Sequence, residues 1–281
     1  MKKTSRLATL GELGQYPLWY KALELVLKYE WTLCQQTNEE TLLGSAILEM
    51  RDMAISGTDC WYTRINAVKS LLKIKSVPSH VKYSSIGNKI SKAVRGTFDR
   101  FWLDCINKIE KNGCSCPMDH NKLRFYRQFK GSFSAEPYID LVRNRNQRHF
   151  LTRFRVGSHN LRVETGRWTI PKTSYEDRLC VYCDSGKVDS EQHSITECKL
   201  TELNRVSFYS ILCKFDNNFH NLSNEHKLSH ILCPIDSVRA KLSNKYLELL
   251  VKTRALVDQG KPASDIPIIK LDTRGIQLVK N

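Results

Sequence analysis

The residues best suited to chemistry in this chain lie between positions 180 and 198. They read Cys-Val-Tyr-Cys-Asp-Ser-Gly-Lys-Val-Asp-Ser-Glu-Gln-His-Ser-Ile-Thr-Glu-Cys and carry the pattern Cys180-x2-Cys183-x9-His193-x4-Cys198. Thiolates and a neutral imidazole are the ligands zinc prefers, four at a time in a tetrahedron. A Cys-x2-Cys turn sets two sulfurs on one side of an ion, with backbone N–H groups ready to support them. Asp184-Ser185-Gly186 supplies the turn residues. His193 and Cys198 would close the site from a short helix or its end. Four protein ligands leave no open position, so the pattern predicts a structural zinc and not a hydrolytic one. Such an ion contributes on the order of 10 kcal/mol to folding and would order a stretch poor in core residues.

Two other clusters are weaker. Cys114 and Cys116 with His120 lack a fourth ligand nearby and read as loop thiols. His226 and His230 sit four apart, with His220 and Cys233 close in sequence, but no acidic residue completes a catalytic zinc motif. Phosphate-binding glycine loops, the Gly-x-Ser-x-Gly elbow and a Tyr-x-Asp-Asp pair are absent from the sequence. No set of residues reads as an active site.

The second chemical signal is positive charge. The chain has 281 residues, with 44 Lys and Arg against 29 Asp and Glu, a net charge of +15. Residues 122–178 alone hold 13 basic and 5 acidic residues, a net +8. Arg dominates there, and its planar fork of donors suits phosphate oxygens and stacks on bases. Arg124, Arg127, Lys130, Arg143, Arg145, Arg148, Arg153, Arg155, His159, Arg162, Arg167 and Trp168 are therefore the candidate contacts to RNA or DNA. Phosphate contacts would supply most of the affinity, and exposed rings such as Trp168, Tyr175 and Tyr182 could stack on unpaired bases.

The elements that must position these residues are mostly helical. Apolar side chains recur at helical spacing from Trp19 to Leu33, from Leu42 to Ala54, from Trp61 to Leu72 and from Ile86 to Ile109. Two more helices are predicted at about 119–132 and 136–154, with Pro137 in the first turn of the latter. Residues 161–190 read as short, turn-rich and partly extended. Helical spacing returns from Leu203 to Cys213 and from Val238 to Leu250, the last with Asp236 or Ser237 as its cap. From Gln259 the chain reads as a loose tail, with one extended piece near Ile268–Leu271. The expected architecture is mainly α, a helical scaffold with a small Cys-Cys-His-Cys zinc-stapled knob. The expected divisions are a helical region at 1–120, an Arg-rich segment at 121–178, the zinc motif at 179–200, C-terminal helices at 201–258 and a tail at 259–281.

Composition excludes other classes. At 41% hydrophobic residues, with 13 Gly and 8 Pro, the chain is neither wholly disordered nor collagen-like. No run of about 18 apolar residues could span a membrane. The N-terminus has no signal-peptide core, because Gly11, Glu12 and Gly14 interrupt it. The ten cysteines are then expected to be thiols or metal ligands, in the cytoplasm or nucleus.

Several segments resemble a known family. Gly11-Glu12-Leu13-Gly14-Gln15-Tyr16-Pro17-Leu18 is similar to a segment downstream of the polymerase in non-LTR retrotransposon (LINE-type) endonuclease–reverse transcriptase polyproteins. So is Phe129-Lys130-Gly131-Ser132-Phe133-Ser134-Ala135-Glu136-Pro137-Tyr138. The strongest likeness is residues 151–168, from Leu151-Thr152-Arg153-Phe154-Arg155 to Gly166-Arg167-Trp168, leading into Cys180 and Cys183. In that family a Cys-Cys-His-Cys motif follows such an Arg/His segment, and Cys180, Cys183, His193 and Cys198 match it. The likeness spans most of residues 10–255. Asp189-Ser190-Glu191 stand where an acidic triplet is usual, Ser194 where Phe is usual, and Trp168 where Tyr is usual; the ligands are unaffected.

The resemblance implies an accessory region that binds RNA or DNA in target-primed reverse transcription, alongside other retroelement proteins. It implies no catalysis by this chain itself, since the polymerase and endonuclease domains of such polyproteins are missing from it. Two alternatives stay open. One is a helical module whose zinc knob binds another protein. The other is an inert or domesticated fragment of a retroelement.

Overall fold

Helical periodicity builds most of this protein. The computed structural model describes residues 5–35, 40–74, 83–107, 123, 125–261, 268–272 and 275–279. The Cys114/Cys116/His120 cluster and Arg124 lie outside them. No helix among the described residues is long and apolar enough to cross a membrane. The chain divides into two compact units. One is Gln15–Cys105; the other joins Met1–Gly14 to Ile106–Asn281. This division differs from the five segments expected, because the Arg-rich stretch, the Cys/His motif and the C-terminal helices share one unit and its core.

In the unit Gln15–Cys105, the four apolar stripes become four helices. These are α2 (Leu18–Gln35), α3 (Leu42–Ile55), α4 (Trp61–Leu71) and α5 (Tyr83–Asn107). Thr41 caps α3 by accepting the Gly44 N–H at 3.0 Å. Leu33, Ile47 and Tyr62 form a small core between α2, α3 and α4. Tyr62 is also held by its hydroxyl, which accepts from Arg51 Nε at 3.2 Å. Tyr20 of α2 packs edge-on against Phe98 of α5, ring centres 4.7 Å apart.

The other unit begins with α1 (Arg6–Leu13), a helix the glycine-broken N-terminal sequence did not suggest. It ends at Gly14, whose φ is +58°. A Cβ there would lie 2.3 Å from the Ala135 nitrogen, so the close approach of residues 13 and 135 requires glycine. The unit continues with α6 (Tyr126–Phe129), α7 (Pro137–Leu141), α8 (His149–Arg155), α9 (Arg162–Thr165), α10 (Glu202–Leu212), α11 (Asn224–Leu232) and α12 (Ser237–Asp258).

The single helix predicted at 136–154 is broken in two. Asn144 starts a turn by accepting the Asn146 N–H at 2.9 Å, which suits Asn better than continued helix. Arg148 then folds back and donates to the carbonyls of Ile139 and Val142, filling acceptors at the end of α7. Of the helix predicted at 119–132, residues 119–122 and 124 lie outside the described residues; within them helix runs over Tyr126–Phe129 and stops at Lys130.

The centre of this unit is α12. It buries Ala240, Leu242, Tyr246, Leu247, Leu249 and Leu250 against Leu151, Phe154, Ile195 and Phe208. Being covered on several faces, it shows apolar positions beyond the single stripe read from sequence. Tyr246 stacks on Phe208 with ring centres 4.3 Å apart and planes 6° from parallel. Asp236 caps the helix by accepting the Arg239 N–H at 2.8 Å, as expected. Asn244 reaches across to α8, which has no side-chain cap of its own, and accepts the Phe150 and Leu151 N–H groups at 2.8 and 3.2 Å. The expected loose tail contains a hairpin: β1 (Ile268–Asp272) pairs antiparallel with β2 (Gly275–Val279), Ile268 opposite Val279. The expected extended piece is thus one strand of a pair.

A candidate metal centre fastened to the central helix

The Cys180-x2-Cys183 turn is built as a short hairpin. Cys180 N–H donates to the Lys187 carbonyl and Asp189 N–H to the Arg178 carbonyl, both at 2.8 Å, with Leu179 bridged to Val188. Gly186, at φ +63°, makes the reversal. His193 to Glu197 then form one wide helical turn, closed where Cys198 N–H donates to the His193 carbonyl at 2.8 Å. Both ligand pairs are thus carried by short local turns, the second from a short helix and its end.

The ligand atoms of Cys180, Cys183, His193 and Cys198 all lie within 4.8 Å of one another, and no other group of this kind occurs among the described residues. Cys180 Sγ is 3.9 Å from Cys198 Sγ, and Cys183 Sγ is 3.3 Å from His193 Nε2. Each sulfur accepts a backbone N–H from the residue two further on: Tyr182, Ser185 and Leu200. Such bonds stabilise thiolates, the form that binds a cation. The hydrogen bond from Cys180, working against burial, draws Cys198 down to about 3, and Cys180 is pushed up in return. Burial alone would lower His193, but Cys198 and Cys183 more than offset it and raise the imidazole. The four groups are thus gathered closely enough to hold a metal ion. The other imidazole nitrogen, Nδ1, is buried with no hydrogen-bond partner and lies 3.7 Å from Glu197 Oε2. A carboxylate behind the distal nitrogen is the usual support for a metal-bound histidine.

The competing cluster is not assembled. His226 Nδ1 pairs with Ser223 Oγ at 2.8 Å, His230 faces Asp216 at 3.9 Å, and Cys233 Sγ accepts from Arg155 at 3.2 Å.

The knob is no free-standing bead. Ser194, Ile195 and Cys198 are wholly buried, and Tyr246 of α12 donates its hydroxyl to the Ile195 carbonyl at 2.6 Å. Asp189 receives a two-pronged contact from Arg254, also on α12, at 3.0 and 2.8 Å. Ser194 Oγ donates to Asp189 at 2.8 Å, and the Arg162 N–H adds a fourth donor. Burial would raise the Asp189 carboxyl, but Arg254, the Arg162 N–H and Ser194 hold it below the usual carboxylate range. At the far end of α12, Asp258 accepts the Tyr182 hydroxyl at 3.0 Å.

The candidate nucleic-acid contacts fall into two groups. Several are committed to the interior. Arg155 forks onto Glu12 at 2.9 Å through Nε and Nη2, and Nη2 also meets Glu136 at 2.6 Å. Lys130 pairs with Glu136 at 2.5 Å, and His159 with Glu191 at 2.9 Å. All three are buried, so their charge or polarity is matched inside the fold and they do not face a polyanion. Arg148 is engaged with the carbonyls of α7, and Arg167 lies 3.4 Å from Glu164. Arg178, from the same Arg-rich stretch, is buried as well.

The others reach the surface. Arg143 and Arg145 are exposed, Arg127, Arg153 and Arg162 are half-buried, and Trp168 is exposed. Around His149, burial and then the charges of Arg153 and Arg145 lower the imidazole pKa. Sequence reasoning missed the acids that neutralise the buried cations. Glu12 is 143 residues from Arg155, and no local pattern joins them.

No protein-family model, no curated protein and no solved structure matches this chain.

Proposed function

We propose that this chain is a zinc-stapled nucleic-acid-binding module, an accessory region of the kind that follows the polymerase in non-LTR retrotransposon polyproteins. Zinc suits the ligand set. With Zn–S bonds of about 2.3 Å, the edge of a tetrahedron is about 3.8 Å, and the Cys180–Cys198 sulfurs are 3.9 Å apart. The four positions are closed by protein atoms, so the ion orders the fold and leaves no site for a reacting water.

The observation that carries the binding reading is that exposed Arg145 and His149 and half-buried Arg153 lie four residues apart in turn, and none of the three makes an ion pair with a carboxylate among the described residues. Arg143 is exposed two residues before Arg145. Unmatched like charges on one surface raise the energy of the free protein and lower that of a complex with a polyanion. Sequence-independent contact to phosphates is the chemistry such a face supports. The order of the segments at residues 11–18, 129–138 and 151–168 before the Cys/His motif supports the retroelement reading of the chain.

The test is the salt dependence of binding to a fluorescent oligonucleotide by the zinc-loaded protein. Affinity that falls steeply as salt rises, and falls at fixed salt in Arg145→Glu and Arg153→Glu, is expected. Absence of binding at low salt with zinc present would refute the proposal.

A further inference from the structure

In the unit Gln15–Cys105, helix α2 carries a second apolar face. Tyr20 and Leu27 already give it a buried one. Yet Leu18 is 81% exposed, Leu25 66%, Tyr29 57% and Trp19 55%, and Ala22 is exposed as well. Leu18, Ala22, Leu25 and Tyr29 follow one another at steps of four, three and four residues, so they form one stripe along the helix. A helix that is apolar on two faces is ordinarily covered on both. The stripe holds no charged residue. Elsewhere on α2, Glu24 pairs with Lys28 at 2.6 Å and Glu30 with Lys69 at 2.9 Å. The stripe also borders a groove. Ala22, Leu23 and Val26 of α2, Val68 and Leu71 of α4 and Thr97 of α5 line a cleft of about 430 Å³. Leu71 stands at its rim, 77% exposed. Contiguous apolar surface of this kind marks an interaction site.

We infer that this face is a self-association surface, and that its occupant is α2 of a second copy of the chain, running antiparallel. A two-fold contact needs one surface to carry both the projecting and the receiving groups. The stripe meets that need. An axis midway between Ala22 and Leu25 sets Ala22 of one protomer opposite Leu25 of its partner, and Leu18 opposite Tyr29. At the axis each small side chain then receives a large one, which lets two helices approach closely. The area is sufficient too. At their exposures, Leu18, Trp19, Leu25, Tyr29 and Leu71 offer on the order of 700 Å², near the roughly 800 Å² that each side of a standard interface buries. The net charge of +15 opposes the meeting of two copies, and a stripe without charges keeps that repulsion at a distance. The same lack of charge favours a like surface over an acidic or basic partner, which would find no counter-charge within the stripe.

The experiment is sedimentation equilibrium of the zinc-loaded full chain, freed of nucleic acid, across the micromolar range at physiological salt. The wild type should approach the dimer mass as concentration rises. Leu25→Glu buries an unpartnered charge at the axis and should raise the dissociation constant by roughly tenfold or more. Ala22→Lys should do the same. Mixed in equal amounts, these two variants set opposite charges against each other and should recover a dimer, which reports the antiparallel register. Ile170→Asp, at a fully exposed apolar position outside this unit, should leave the wild-type mass unchanged. Far-ultraviolet circular dichroism checks that the variants keep their helices. Where Leu25→Glu does not fold, Leu18→Ser, at the exposed start of α2, takes its place. A wild type that stays monomeric throughout overturns the inference, and so does a dimer that Leu25→Glu and Leu18→Ser leave intact. Monomers that bind phosphatidylcholine–phosphatidylserine vesicles, and lose that binding in Leu25→Glu, overturn it in favour of a lipid surface.

Discussion

Asp189 and Arg254 meet as a buried, two-pronged ion pair with oxygen–nitrogen distances of 3.0 and 2.8 Å, joining the hairpin that carries Cys180 and Cys183 to the central helix α12. Both side chains are almost wholly shielded from water, so neither charge can be left alone cheaply. Ser194 completes the set, donating to Asp189 and accepting from Arg254 at 2.9 Å. Arg254→Met should therefore destabilise the protein by about 3–5 kcal/mol, the usual penalty for breaking a buried pair from one side. Urea unfolding of the two proteins measures it. A shift within experimental error would show that the knob is held by its other contacts alone.

Removing the metal should reach further than the knob. Ile195 lies between two ligands and belongs to the same core as Phe208 and Tyr246. Chelation is therefore expected to abolish near-ultraviolet circular dichroism from this core and to lower the helical signal, with recovery on adding zinc. Cys198→Ser should resemble chelation, because Cys198 is buried and its sulfur faces both Cys180 and the histidine. Loss of metal without change in either spectrum would argue that the core forms independently.

The Cys/His cluster was legible because its four residues are close in sequence and their types are rare together. Helix α5 and the cap at Asp236 were legible for a similar reason: periodicity and capping are local. What defeated the sequence was pairing at a distance. Arg155 sits in the densest run of positive charge, and composition counts it as surface. Its partners Glu12 and Glu136 come from other segments and place it in the interior. The break at Asn144 and the hidden helix α1 failed differently. There a weak local turn signal competed with an apolar pattern, and tertiary contacts such as Asn244 on α8 decided the outcome.

Asn244 itself gives a clean measure of such a contact. Asn244→Ala removes the acceptor for two helix-terminal N–H groups and the donor to the Asn146 carbonyl at 3.3 Å. A loss of about 1–2 kcal/mol is expected, the upper range for a helix cap. Asn244→Asp, which keeps the acceptor, should lose less. Thermal unfolding of the three proteins orders them; equal losses for both variants would place the effect in packing.

Tyrosine ionisation should separate folded from unfolded chains at high pH. Burial first, then the bond to Asp258, pushes Tyr182 up to about 12, and burial does the same to Tyr209. Exposed tyrosines ionise near pH 10. A raised folded value means that the unfolded chain gives up these protons first. Stability from these groups is thus fully present below about pH 10 and lost as pH rises toward 12. Absorbance titration of the native protein should show a delayed phase from these rings, well above pH 10. In urea that phase should fall to near pH 10. A single native phase near pH 10 would contradict the burial of these rings.

The two classes of arginine should respond oppositely to substitution. Arg155 contributes three nitrogens to Glu12, Glu136, the Leu232 carbonyl and Cys233, and stacks over Phe129 at 4.5 Å. Burial works against its charge, and Glu12 outweighs it, so the guanidinium stays protonated. Arg155→Ala strands the buried Glu12 carboxylate and leaves Glu136 with Lys130 alone, and is expected to destabilise by about 3–5 kcal/mol. Arg145→Ala and Arg153→Ala remove charges from the basic face, with stability changes expected within about 0.5 kcal/mol for Arg145. Their effect should appear in binding. Each lost phosphate contact lowers the slope of log affinity against log salt by about 1. The double variant should therefore bind more weakly at low salt and with a flatter salt dependence. Arg155→Ala, where it remains folded at low temperature, should keep the wild-type slope. The same slope for all three variants would mean that neither class of arginine touches phosphate.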